Sequence, residues 1–585
     1  MIIQMENINQ QKPLLSFEFA DSNGEIQPLT FVKPLKVITA NRIEEVLPCF
    51  QAIQDALHNG YYAAGFLSYE SAPAFDSSYK VNTEKTMPLL WFGIFSEPLK
   101  EPLSSNGTYK LAQWRPSVKP SEYDAAIQSI KHSIECGDTY QTNYTIQLTS
   151  DFQGDDVAFF ASLKRAQSSN YCAYIHTGEH RILSASPELF FHLKEGRITT
   201  RPMKGTVKRG KSSAEDIANA DWLYHSEKNR AENVMIVDLL RNDLNVIANL
   251  GTVQVPKLFE VEHYPTVHQM TSTITAEVPA DILLADLFKA LFPCGSITGA
   301  PKISTMNIIA DLETAPRGVY CGAIGYITPD QEAVFNVPIR TVVVDQTGRA
   351  VYGVGGGITW DSTVEGEYHE ILAKASLLEE ERPEFHLLES ILLENGEFHL
   401  LEEHLNRLQS SAQYFAFPFH LEDINQTLQS ISKQNKQGKF KIRFLLSQKG
   451  EIEIDAQMIT PPKVPLKIIL ADEPLNKDNP FLYHKTTNRS IYSHFQKSHK
   501  DVFDILLWNE DGELTEFTNG NVVLEIDGVL WTPPISSGLL AGTFRESLIK
   551  EGTIHEKKLT TADLSKSTNI WFINSVRKWL KVQLI

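Results

Sequence analysis

The chain is poor in cysteine, has no surplus of positive charge and lacks any long apolar run, and each shortage removes a class of function. Its five cysteines, Cys49, Cys136, Cys172, Cys294 and Cys321, show neither metal-ligand spacing nor a disulfide framework, which fits a reducing compartment. With 54 Lys and Arg against 72 Asp and Glu, the net charge of -18 leaves no general basic footprint for nucleic acid or an anionic membrane. A small anion in a local basic pocket stays compatible with that balance. No stretch has the length of a membrane span, and Met1 to Pro13 lacks a basic segment and an apolar signal core, so a soluble cytoplasmic protein is expected. Internal repeats and low-complexity tracts are missing too.

What is present points to packed globular structure. The 585 residues, 42% of them hydrophobic, exceed what one core supports and should divide into domains. The first hundred or so residues read as β-rich, with Asn23-Gly24 a hairpin candidate. A helix is expected from Ser121 through Ile127, Ile130 and Ile134 to Gly137, then a strand over 140–148, and a second long helix over 226–248. The charged run Glu379-Glu380-Glu381-Arg382 and Pro383 end a third helix, and a hairpin turning at Asn395-Gly396 follows at once. The boundary is placed there, giving domains 1–382 and 383–585 joined by a short linker.

Glu367, Glu370 and Lys374 are spaced by three and four, so on a helix they share one face. Alone they fit a solvated face with an intrahelical ion pair better than a pocket. The preceding Tyr352-Gly353-Val354-Gly355-Gly356-Gly357-Ile358-Thr359 shifts the balance, because dense glycines let backbone amides converge on an anion. Such a nest beside an acidic helix face suits a metal-bridged carboxylate.

Five ordered motifs then carry a resemblance. Ser186-Pro187-Glu188-Leu189-Phe190, Thr200-Arg201-Pro202-Met203-Lys204-Gly205-Thr206, Arg230-Ala231-Glu232-Asn233, the stretch from Phe292 through Thr298 to Lys302, and Val337-Pro338-Ile339-Arg340-Thr341 resemble the chorismate-utilising enzymes over about residues 60–378. Within that family they look like component I of aminodeoxychorismate synthase. The resemblance implies an α+β fold, an anthranilate synthase component I-like domain of antiparallel sheets with flanking helices. It implies that Glu232 and Glu370, with Glu367 nearby, hold Mg2+, whose preference is for hard oxygen ligands. Arg340, Lys374 and the amides of Gly355, Gly356 and Gly357 would bind substrate carboxylates. Glu188 would be the acid that assists departure of the ring hydroxyl, and Thr298 would contact that hydroxyl. Gln141 replaces the water-activating lysine of isochorismate and salicylate synthases. Lys204 replaces the alanine usual in a loop of anthranilate synthases and would attack the ring, for which its amine must be neutral. Gln269 stands where anthranilate synthases place a histidine, with His268 one residue earlier, on the opposite face of a strand.

From about residue 385 onward the chain resembles fold-type IV pyridoxal 5'-phosphate (PLP) enzymes of two α/β subdomains, and within them aminodeoxychorismate lyase. By that resemblance Arg407 binds cofactor phosphate, Lys485 in His484-Lys485-Thr486-Thr487-Asn488-Arg489 is the Schiff-base lysine and base, and Glu516 pairs with the pyridinium nitrogen. Asn521 belongs to the Glu516 motif. The Thr543 and Phe544 amides would cap phosphate at a helix start, and Ser575 and Arg577 would meet phosphate or substrate carboxylate. Asn488 and Arg489 are further substrate candidates. Aminotransferases share this scaffold, so anthranilate synthase component I fused to a D-amino-acid or branched-chain aminotransferase stays open as an alternative, as does an inactive fusion that binds these ligands. The expected product is 4-aminobenzoate, for folate synthesis, made from chorismate by amination and then loss of pyruvate. No Gly-x-Cys-x-Gly motif occurs, so ammonia is expected from solution or from a separate glutamine amidotransferase subunit. A homodimer through the PLP domain is a further expectation.

Overall fold

The computed structural model describes residues 12–21, 24–84, 86–378, 384–462, 464–498 and 501–585. The chain forms two compact units, Met1–Lys208 with Asp221–Arg382 and Arg209–Ala220 with Pro383–Ile585. Asn23 of the first expected hairpin and the boundary run Glu379 to Pro383 lie outside the described residues.

The first unit is built on two ten-stranded sheets whose pairings are all antiparallel. Period-two apolar patterning drives their packing. Leu15, Phe17 and Phe19 of one sheet bury against Ala64, Phe66 and Ile324 of the other. The expected β-rich start omitted a helix, Ile43–His58, which buries Val46, Phe50, Ile53 and Leu57; Pro48 inside it disguises the helical pattern. The helix expected from Ser121 spans Pro120–Glu135 and buries Tyr123, Ile127 and Ile130. The following strand, Gln141–Gly154, outruns its predicted length because it pairs with Arg349–Ile358 from Thr142 opposite Ile358 to Asp151 opposite Arg349. The long helix is Glu227–Asn245, capped by Ser226, whose side chain accepts the Asn229 amide.

The second unit has a four-stranded antiparallel sheet and an eight-stranded mixed sheet. Helices Leu401–Phe415 and Leu421–Gln434 bury Leu408, Ala412, Ile424 and Leu428 against Ile391, Ile442 and Phe444 of the smaller sheet. In the larger sheet Lys467–Leu470 runs parallel to Asp504–Trp508 and to Lys578–Leu584. Residues 209–220 also pack here: the Arg209 guanidinium lies 4.4 Å from the Tyr414 ring centroid, and the Tyr414 hydroxyl donates to the Gly210 carbonyl at 2.8 Å. Among the described residues no helix is long and apolar enough to cross a membrane.

Candidate functional site

In each unit a lysine heads a polar cavity. In the first unit the cavity has a volume of about 350 Å³ and is lined by Glu188, Lys204, Glu232, Arg340, Gly355 to Gly357, Glu367, Glu370 and Lys374. Strands of both sheets and two helices deliver these side chains.

Lys204 lies within the edge strand Met203–Lys208, where the sequence suggested a loop. Its neighbours lock that strand in place. The Gln269 amide donates to the Gly205 carbonyl at 3.0 Å and accepts from the Thr206 hydroxyl at 3.0 Å, while Asn233 donates to the Lys204 carbonyl at 3.2 Å. Register puts Gln269 opposite Thr206 and His268 opposite Val207, so His268 faces away from the cavity and bonds to His263 at 2.8 Å.

The Lys204 side chain is only 14% exposed, with Nζ 3.8 Å from a Glu232 oxygen. Burial lowers its pKa, Glu232 pulls the other way, and Lys374 lowers it further. The glycine-rich strand permits this packing: a Cβ on Gly357 would stand 2.2 Å from Lys204 Nζ and 2.6 Å from Gln141 Nε2. Gln141 is fully buried beneath, with both amide atoms unpartnered. Glu188, 2% exposed, accepts the Ser296 hydroxyl at 2.6 Å, and burial raises its carboxyl to about 7 against that hydrogen bond. A carboxyl titrating there is a competent proton donor near neutrality.

Helix Val364–Ala375 presents Glu367, Glu370 and Lys374 on one face, as the spacing predicted. Lys374 Nζ pairs with Glu370 at 2.6 Å and donates to the Gly355 carbonyl at 2.8 Å. The Lys374 charge lowers the Glu370 pKa. Burial raises Glu367, whose carboxylate takes the Ser362 hydroxyl at 2.6 Å. A Cβ on Gly356 would meet both acids, 3.1 Å from Glu367 and 3.7 Å from Glu370, so these carboxylates converge over the glycines. With Glu232 they place three carboxylates around one small cavity, the donor type Mg2+ prefers, although their oxygens do not all come within 4.8 Å of one another. Arg340 reaches the cavity while donating to the Lys374 carbonyl at 3.0 Å. Thr298 departs from expectation: it is fully buried and does not line the cavity, because its hydroxyl donates to the Cys294 and Gly295 carbonyls at 3.1 and 3.3 Å.

The second unit's cavity, about 650 Å³, is lined among others by Arg407, Lys485, Glu516, Asn521, Thr543 and Ser575. Lys485 sits on an irregular segment pinned to strand Leu387–Glu394 through its carbonyl, which accepts the Leu388 amide at 2.9 Å. Burial, then Arg407, brings the Lys485 amine down to about 8. Among the described residues its Nζ has no hydrogen-bond partner. Glu516 is raised to about 7 by burial although Tyr492 donates to it at 2.7 Å; Asn521 and the Leu540 amide also approach, at 3.4 and 3.3 Å.

Arg407 is bound twice by Glu389, at 2.8 and 2.6 Å, and donates to the Ala541 carbonyl at 2.9 Å. Two of its five N–H groups remain for a phosphate. Glu389 is 2% exposed; burial opposes its charge, yet Arg407 and His404 hold it down at about 2. His404 bonds Glu389 through Nδ1 at 2.6 Å and Thr543 through Nε2 at 3.2 Å. Thr543 opens helix Thr543–Lys550 beside Gly542, where a Cβ would collide with Asn521 Oδ1 at 2.0 Å. Phe544 is turned away, its ring packed with Val523, Leu548 and Ile573, so only its backbone belongs to the helix start. An unpartnered, half-buried lysine, an opposing acid, an arginine with spare donors and a helix N-terminus fit PLP.

Glu389, Tyr492 and Ser296 were not anticipated. Glu389 left a signal, since strand alternation puts it on the buried face with Leu387, Ile391 and Leu393. Tyr492 and Ser296 left none, because their partners are distant in sequence.

Residues 98–380 match the family model described as chorismate binding enzyme, and residues 386–585 match that described as Amino-transferase class IV. The chain is 42% identical over 263 residues to aminodeoxychorismate synthase component 1 of Klebsiella aerogenes, covering 45% of this chain and 58% of that protein. It is 35% identical over 265 residues to anthranilate synthase component 1 of Aquifex aeolicus, covering 45% and 53%. The matches therefore span little more than half the length of these relatives. The crystal structure of anthranilate synthase component I from Streptococcus pneumoniae aligns with a TM-score of 0.51 and 25% identity, covering 63% of this chain and 90% of that one. Two lysine-headed cavities thus lie one within each matched region, the first in the stretch similar to chorismate binding enzymes and the second in the stretch similar to class IV amino-transferases.

Proposed function

We propose that the chain converts chorismate to 4-aminobenzoate in two steps, amination to aminodeoxychorismate in the first unit and elimination of pyruvate in the second. The observation that carries this reading is Lys204, whose amine is buried in the first cavity beside Glu188 and Glu232 with burial favouring its neutral form. In the first step the Lys204 lone pair forms a bond to the ring as the ring C–O bond breaks. Glu188, whose carboxyl titrates at about 7, gives its proton so that the hydroxyl leaves as water. Ammonia then forms the new C–N bond, the bond to Lys204 breaks, and the amine is regenerated. Arg340 and Lys374 orient the substrate carboxylates. Mg2+, when bound by Glu232, Glu370 and Glu367, would clamp the ring carboxylate and take up negative charge that otherwise keeps Lys204 protonated. Gln269 in place of a histidine beside the cavity supports release of aminodeoxychorismate rather than loss of pyruvate at this site.

In the second unit Arg407, Thr543 and the helix start would hold the phosphate of PLP, and Ser575 and Asn521 would bound it. PLP, when bound, supplies the electron sink. Lys485, at about 8, can lose its proton near neutrality and serve as the base that takes a ring C–H proton. Glu516, held by Tyr492, would pair with the pyridine nitrogen of the bound cofactor. Aromatisation of the ring favours the elimination. Ammonia comes from solution or a separate amidotransferase subunit.

Incubating purified protein with chorismate, Mg2+ and ammonium, with and without PLP, tests both steps by chromatography of the products. 4-Aminobenzoate and pyruvate in the presence of PLP are expected. Anthranilate would overturn the role given to Lys204, and aminodeoxychorismate that persists despite PLP would overturn the lyase assignment.

A further inference from the structure

The second cavity carries more positive charge than its cofactor chemistry requires. Beyond Arg407 and Lys485 it is lined by Lys441, Arg443, Arg489 and Arg577. Lys441 and Arg443 stand two residues apart on strand Lys439–Leu446, so they share one face while Ile442 and Phe444 bury on the other. Arg489 and Arg577 come from elsewhere, the segment after Lys485 and the turn between strands Asn569–Asn574 and Lys578–Leu584.

Among the described residues no carboxylate forms an ion pair with any of the four. The two acids that line the cavity are already engaged. Glu516 takes Tyr492, and Asp504 takes the Thr518 amide and hydroxyl and the Asn519 amide group. Asp455, opposite Arg443 across the strand pair, accepts from Gln457 at 2.9 Å. Among the described residues Arg489 donates to the Thr518 carbonyl and the Asn519 side chain and lies 4.5 Å from the Tyr492 ring centroid, while Arg577 donates to the Thr460 carbonyl, all of them neutral groups. Each keeps donors to spare. Burial lowers the Lys441 pKa, and Arg577, Arg443 and Arg489 add to the shift, so the cluster is under mutual repulsion that an anion would relieve.

We propose that Lys441, Arg443, Arg489 and Arg577 form a dicarboxylate subsite, so that this cavity selects a dianionic ring substrate over a monocarboxylate amino acid. The inference rests on reading the cavity as the lyase site and supplies its missing substrate contacts. One carboxylate would leave most of the cluster's charge unbalanced. Two carboxylates, one toward the strand pair Lys441 and Arg443 and one toward Arg489 and Arg577, would draw on cations that three separate segments bring to the cavity. Arg407 is excluded from this role because Glu389 neutralises it.

The test is a footprint. The full chain is acetylated briefly with an amine-reactive ester, and modification of Lys441 is read by peptide mass spectrometry with isophthalate, benzoate or inorganic phosphate present. Isophthalate should protect Lys441 at a concentration at least about tenfold lower than benzoate, the difference one extra charged hydrogen bond makes. Arg577→Gln should erase that advantage, and Arg489→Gln serves if the first variant melts early. Equal protection by benzoate, stronger protection by phosphate, an advantage that survives both substitutions, or no labelling of Lys441 in the free protein would each overturn the subsite. The footprint is scored with and without PLP. A cofactor that fails to attach at Lys485 would count against the lyase reading, and the dicarboxylate preference would still be measured.

Discussion

The two cavities set the same side chain to work under opposite electrostatics. Burial lowers the pKa of both Lys204 and Lys485, but the next influence differs: Glu232 resists the change at Lys204, whereas Arg407 reinforces it at Lys485. Lys485 therefore reaches about 8 with the residues of its own unit. Lys204 keeps a counterion 3.8 Å away, and under the proposed function its amine would be freed when that carboxylate is taken up elsewhere. Desolvation alone does not define an activated lysine; the sign of its nearest charge decides how far the shift goes.

The sharpest way to break this comparison is to remove each amine in turn. Lys204→Ala should cut amination by about 10²–10⁴-fold and leave turnover of supplied aminodeoxychorismate unchanged, and Lys485→Ala should do the reverse. A single substitution that lowers both activities alike would show that the two cavities do not act independently. Glu389→Ala comes next, since it leaves Arg407 and His404 without their shared anion; it should destabilise the second unit by about 3–5 kcal/mol in a denaturant melt. Folding depresses the Glu389 pKa from 4.5 to about 2. Its contribution is therefore full above about pH 4.5 and is lost as pH falls through about 2, so the variant and the parent should converge in acid.

Gly357→Ala probes the Lys204 side alone. The added methyl would occupy space 2.2 Å from Nζ and 2.6 Å from the Nε2 of buried Gln141, so both side chains must shift, and amination should fall by about 10²-fold with a lowered melting point. The smallest effect is expected from Ser296→Ala. Glu188 acts protonated, so amination declines as pH rises through about 7. Losing the Ser296 hydrogen bond removes support for the charged carboxylate, raises the pKa further, and should move the decline to higher pH by on the order of one unit. An unmoved profile would assign the titration to another group.

Much of this was legible along the chain. The spacing of Glu367, Glu370 and Lys374 implied a shared helix face, and Val364–Ala375 provides it. The one-residue offset between His268 and Gln269 implied opposite faces of a strand, and the register with Val207 and Thr206 bears that out. Such inferences depend on local periodicity, which backbone geometry enforces without reference to the rest of the fold. Where the pattern was disturbed, as at Pro48, the helix went unseen. The resemblance set Lys204 in a loop, yet pairing with Val267–Glu277 holds it in a strand.

The sequence by itself determined which residue types were available for chemistry, their faces on each helix or strand, and the division of that chemistry between two lysine-bearing regions. Only the tertiary structure decided which of them meet. Ser296 reaches Glu188 across 108 positions, Thr543 reaches His404 across 139, and Thr298, which lies in a matching motif, turns its hydroxyl to the backbone instead. It also decided how each group titrates, because desolvation and the nearest charge are set by long-range packing that local patterning does not encode.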